Sequence, residues 1–98
     1  MATEKERKLM GEIMDLAVDV TLAGGEYKIN AQYLGHIHAF DIRIMDSKFV
    51  LQNESCHWAC LSGKNDLWDE AKSVNRLKEM LTQVKQHHPA FDADGVKL

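Results

Sequence analysis

The stretch 26–45, EYKINAQYLGHIHAFDIRIM, decides the fold. Its apolar residues recur at alternate positions, the period of a strand with one buried face. In the first half, Tyr27, Ile29, Ala31 and Tyr33 point one way, while Glu26, Lys28, Asn30 and Gln32 point the other. In the second half, His38, Phe40, Ile42 and Ile44 share one side, and Asp41 and Arg43 lie opposite. Gly35 stands between the halves as the turn residue, so two antiparallel strands are expected. MDSK (45–48) reads as a second turn and KFVLQ (48–52) as the start of a third strand. ESCHWACL (54–61) either continues that strand after a break at Gln52-Asn53 or forms a fourth.

Helical patterns flank the strands. Thr3 followed by Glu6 fits a capping box, and Gly24-Gly25 supplies a stop, so a helix is expected between them. Leu9, Ile13, Leu16, Ala17 and Val20 fall on one of its faces. Met10, Met14, Val18 and Leu22 lie around that stripe and make the apolar surface wider than one sheet needs. A second helix is expected from Asn65 or Asp66 to about His87, stopped by Pro89, with a stripe of Leu67, Ala71, Val74, Leu77, Leu81 and Val84. Trp68 falls on the far side from that stripe, and Met80 joins it as apolar surplus. The tail AFDADGVKL (90–98) and residues 1–3 are expected to fray, although Phe91 is large enough to dock. The expected fold is therefore α+β: helix, three or four antiparallel strands, helix, with both helices on one sheet face, in a single domain spanning 1–98.

Composition narrows the function classes. Ninety-eight residues, 45% hydrophobic and 28% charged, suit one folded domain. A formal net charge of −3, with both signs spread along the chain, argues against a nucleic-acid binder. The start MATEKERK is charged, and no apolar run is long enough for a signal or membrane segment, so a cytoplasmic protein is expected. Thiols stay reduced there, and a Cys56–Cys60 disulfide is not expected.

SCHWACLSG (55–63) looks most like chemistry. Structural zinc sites draw on paired Cys or Cys/His clusters, yet three residues separate Cys56 from Cys60 and there is no second pair. His57, His36 and His38 are the imidazoles that would have to complete a site. In a strand, Cys56, Trp58 and Cys60 share one face, which favours small buried hydrophobes around a core tryptophan. Zinc on Cys56, Cys60 and one or both of His36 and His38 remains the alternative. A thiol enzyme is a weaker one, because the sequence names no group that would orient a base toward Cys60. His87 and His88 suit the end of a helix as imidazolium groups. Gly24-Gly25 follows a helix rather than preceding one, so it forms no phosphate cradle. The strand aromatics Tyr27, Tyr33 and Phe40 face the core rather than forming a stacking platform.

The segment YLGHIHAFDIRIM (33–45), an aromatic, a Gly-His step and an alternating strand, resembles short uncharacterised accessory proteins of tailed phages and prophages. That resemblance implies a small phage-encoded protein that binds and diverts a host protein; it carries no catalytic residue. With the apolar surplus, it leads to the expectation of a non-enzymatic interaction protein, a homodimer that docks on another protein and needs no cofactor. The contacts are expected at Met14, Val18, Leu22, Trp68 and Met80, with Asp41 and Arg43 from the outer sheet face.

Overall fold

The computed structural model describes residues 3–35, 38–53, 57–61, 69–92 and 94–98. Helix α1 (Glu4–Leu22) is followed by strands β1 (Lys28–Leu34), β2 (Ala39–Met45) and β3 (Trp58–Cys60), and then by helix α2 (Glu70–Gln86). The three strands form one antiparallel sheet in the order β1-β2-β3, and the helices pack on it and on each other. This is the expected α+β fold, with three strands among the described residues.

Local chemistry sets the helix ends. Thr3 is extended and accepts from the Glu6 N–H at 3.2 Å, while the Glu6 carboxylate accepts from the Thr3 N–H at 2.8 Å. Two otherwise orphaned donors are thus satisfied reciprocally. After Leu22 the chain turns at Gly24, whose φ of +72° lies in the left-handed region that glycine enters without strain. α2 is capped by Asp69, which accepts from the Lys72 N–H at 2.9 Å. The helix described runs from Glu70; the expected starts, Asn65 and Asp66, lie outside the described residues.

The core lies between the helices and one sheet face. Ile13, Ala17 and Val20 of α1 and Leu77, Met80, Leu81 and Val84 of α2 close over Ile29, Phe40, Ile42, Ile44, Ala59 and Leu61. The buried face of α2 is turned from the expected stripe: Ser73 and Met80 are fully buried, Val74 is half-buried and Ala71 is exposed. Ser73 tolerates burial because its hydroxyl lies 2.6 Å from Oε2 of Glu6, itself fully buried at the start of α1. A buried carboxylate needs such partners to offset lost hydration. This contact ties the first turns of the two helices together.

The segment 48–52 is not a strand. Asp46 gathers it into a turn, its Oδ1 accepting from the N–H groups of Lys48 at 2.8 Å and Val50 at 2.9 Å. Phe49 takes a φ of +61°, and only Leu51 makes a bridge, to Met45. An aspartate carboxylate offers the backbone local bonds that compete with a ladder. The ladder position beside β2 goes instead to Asn53. Its side-chain amide donates to the Ile42 carbonyl and accepts from the Ile44 N–H, both at 3.1 Å, and so stands in for a peptide group. Gln52 N–H donates to the Ile44 carbonyl at 2.7 Å and Ile42 N–H to the His57 carbonyl at 2.7 Å, closing that side of β2.

The C-terminal residues turn back beside α2. Asp92 Oδ1 accepts from the Asp94 and Val96 N–H groups, Phe91 bridges to Lys97, and Lys85 lies 5.4 Å over the Phe91 ring.

Candidate functional site

The two flanks of α1 differ. Residues four apart share a side of a helix, and Asp19 and Thr21, two apart, stand about 200° from each other around the axis. Asp19 turns toward α2, where its Oδ2 lies 3.3 Å from His88 Nε2. Thr21 turns toward β1: its hydroxyl accepts from the Ile29 N–H at 3.0 Å and donates to the Ile29 carbonyl at 3.4 Å. On the Thr21 side come Met14 and Val18, 37% and 47% exposed, with Leu22 beyond them at 78%. Three of the expected contact residues therefore form one apolar flank, and it overhangs the free side of β1.

That side of β1 is an open strand edge. In an antiparallel pair, residues alternate between exchanging both bonds with the partner strand and turning both groups away from it. Ile29 pairs in register with Ile44, and both turn outward, Ile29 to Thr21 and Ile44 to Asn53 and Gln52. Ala31, opposite Ile42, and Tyr33, opposite Phe40, follow the same alternation. Their N–H and C=O groups point away from the sheet and have no partner among the described residues. Thr21 thus closes the edge at Ile29 and leaves it open from Ala31 to Tyr33. The Tyr33 ring is 52% exposed, and its hydroxyl is held 2.7 Å from His38 Nδ1. Alternation put the Ala31 and Tyr33 side chains on the core side; Ala31 does pack against the core, Tyr33 is exposed, and the free backbone edge at both positions was missed. The signal available was position: both lie in the first strand, which has a neighbour on one side only.

Other expected contact residues sit elsewhere. Met80 is not a surface residue; it is fully buried between α2 and the sheet. Asp41 is not an outward contact either. It is buried on the sheet face opposite the core, with His57 Nδ1 3.0 Å from Oδ1 and Arg43 Nε 3.3 Å from Oδ2. Two positively polarised partners make burial of that carboxylate tolerable, and only Arg43 remains exposed. Trp68 lies outside the described residues. Trp58, the cross-strand partner of Asp41, is the tryptophan exposed on the outer face.

The metal and thiol candidates are only partly placed. His36 and Cys56 lie outside the described residues. His38 is half-buried and commits Nδ1 to Tyr33, and Cys60 is a half-buried free thiol opposite Ala39. Among the described residues, no three His, Cys, Asp or Glu side chains group as metal ligands. Asp41 gives His57 the orienting partner that sequence reasoning could not name, but His57 Nε2 makes no hydrogen bond among the described residues. A cleft of about 410 Å³ opens where the helices end, lined by Val20, Glu26, Tyr27, His87 and Pro89 among others. Its imidazoles are engaged, His87 Nδ1 at 2.8 Å from the Gln83 carbonyl and His88 Nε2 with Asp19. No helix among the described residues is long and apolar enough to cross a membrane.

Among the described residues, the apolar flank of α1 above the open edge of β1 is the candidate site. Searches against protein-family models, curated proteins and solved structures find no match to this chain.

Proposed function

We propose that this chain is a small, non-enzymatic interaction protein of the cytoplasm, working without a cofactor, which binds and modulates another protein. The setting implied by the phage-like segment makes that partner a host factor. The observation that carries the proposal is the flank Met14–Val18–Leu22, exposed directly beside the unpaired stretch of β1. An adaptable methionine and a stiff, exposed valine next to free backbone donors and acceptors match what strand-edge recognition uses: main-chain bonds for affinity, neighbouring apolar side chains for fit.

The test immobilises the untagged chain and a Met14→Lys/Val18→Lys variant, exposes both to bacterial lysate, and quantifies what each retains. A host protein held by the native chain and reduced about tenfold or more on the variant, a loss of at least about 1.4 kcal/mol in binding, is the expected result. Equal retention by both, or none by either, overturns the proposal. Native mass spectra of the same material decide the metal alternative: about one zinc per chain, lost on Cys56→Ser, would replace docking by a metal role for 55–63.

A further inference from the structure

The occupant of the open edge can be named from its own geometry. We infer that β1 pairs with β1 of a second copy, antiparallel about a twofold axis through Gln32, so that two sheets join into one of six strands with both α1 flanks packed over the junction. This takes from the docking reading that the α1 flank and the β1 edge bind protein, and assigns that one surface to a second copy in place of a foreign protein.

The register follows from which groups are free. Among the described residues of β1, only Ala31 and Tyr33 turn both a free N–H and a free C=O outward, because Thr21 already occupies Ile29; just past the strand, the Gly35 carbonyl accepts from the His38 N–H. Twofold antiparallel pairing must bring outward residues opposite outward residues. Placing Ala31 opposite Ala31 would set Tyr33 of the second copy against Ile29, whose groups Thr21 holds. Placing Ala31 opposite Tyr33 uses every free group and no occupied one, giving four backbone bonds across the axis.

Side chains fit the same register. Each exposed Tyr33 ring lies opposite an Ala31 of the second copy, a large residue against a small one on both sides of the axis. On the outer face, Gln32 meets Gln32 and Asn30 meets Leu34, so no like charges are opposed at the pairs beside the axis. Above the junction, α1 runs back along β1 from the Thr21–Ile29 contact. With rises of about 1.5 Å per helical and about 3.3 Å per strand residue, the three strand residues from Ile29 to Gln32 match about seven helical ones, which sets Met14 near the axis. Met14 then packs against Met14 of the second copy, with Val18 and the half-buried Met10 on either side. Gly11 lies on this flank too, and a Cβ there would meet nothing within 4 Å in the single chain, leaving room for the second helix. A symmetric pair covers the apolar flank and the open edge together, which is why a second copy is favoured over a foreign strand.

The experiment is sedimentation of the full chain combined with site-directed cross-linking. The native chain is expected at twice the 11.1 kDa chain mass. Ala31→Pro removes an outward N–H without breaking a bond inside the sheet, as edge positions tolerate, and is expected to sediment as a folded monomer by circular dichroism. The independent readout is Gln32→Cys: residues opposite each other on the axis bring their Cβ atoms to about 4.5–5.5 Å, so mild oxidation should yield a disulfide joining position 32 of one copy to position 32 of the other in peptide maps. Asn30→Cys, which faces Leu34, should yield at least about tenfold less. A native monomer, a dimer indifferent to Ala31→Pro, or cross-linking at position 30 equal to that at 32 would each overturn the inference. A native monomer that still retained a host protein through Met14 and Val18 would overturn self-pairing alone and leave the docking proposal standing, with a foreign strand as the occupant.

Discussion

The far side of β2 and the outer side of β1 face the same physical problem and meet it differently. Each is a strand edge with backbone donors and acceptors that water or a partner must satisfy. Beside β2 the chain closes the edge with itself: β3 covers Ala39–Asp41, and past it the His57 carbonyl, the Asn53 amide and the Gln52 N–H take over at Ile42 and Ile44. Beside β1 it closes one residue, Ile29, with one hydroxyl and leaves the next two outward positions open. The closed edge is filled by β3, the buried Asn53 amide and the His57 carbonyl; the open one lies under an apolar helix flank. An edge sealed by side chains of its own chain adds to stability, whereas the bare edge beside exposed methionine and valine is the one on which the proposed docking rests.

That contrast breaks most visibly at Asn53. Asn53→Ala strands the Ile44 N–H and the Ile42 carbonyl in the interior, and with about 1–3 kcal/mol for each buried unsatisfied group it should destabilise the fold by roughly 3 kcal/mol in urea unfolding. Next comes Asp41, which braces His57 while the His57 carbonyl receives the Ile42 N–H. Asp41→Ala should cost about 1–2 kcal/mol in the same measurement, and a loss below about 0.5 kcal/mol would show that His57 holds its place unaided. At the open edge, Thr21→Val keeps the shape and removes the hydroxyl from Ile29. A change of about 1 kcal/mol or less is expected, since Ile29 backbone groups can turn to water there. Smallest of all is Met14→Lys, which is expected to abolish self-association and to change the stability of the monomer by no more than about 0.5 kcal/mol, with both chains compared at concentrations where they are monomeric. If Met14→Lys destabilised the isolated chain as much as Asn53→Ala does, the flank would be core and the contrast would fail.

Much of the fold was legible because it is written in short-range patterns. The capping box at Thr3 and Glu6, the stop at Gly24, and the alternation of 26–45 all join residues within a few positions of each other, where periodicity and capping rules operate. The strand pair formed as the alternation required, and three of the expected contact residues, Met14, Val18 and Leu22, are exposed on one flank as their helical phase implied. What failed did so where a distant residue intervened. The face of α2 was misphased because Ser73 reads as a surface residue until Glu6, 67 positions earlier, takes its hydroxyl. Met80 went inside with that rotated face. Asp41 read as outward until His57 and Arg43 made its burial tolerable. KFVLQ has strand-forming residues, but the Asp46 carboxylate and the Asn53 amide outcompeted a backbone ladder there.

The sequence by itself determined two amphipathic helices, an antiparallel strand pair and an apolar surplus on α1, since each follows from which side of a regular element the apolar residues fall. Only the tertiary structure decided which strand edge is sealed and which stays open. That choice depends on where three side chains land, Thr21 on Ile29, Asn53 on Ile42 and Ile44, and His57 on Asp41, and no local period encodes contacts made after the chain has folded back on itself.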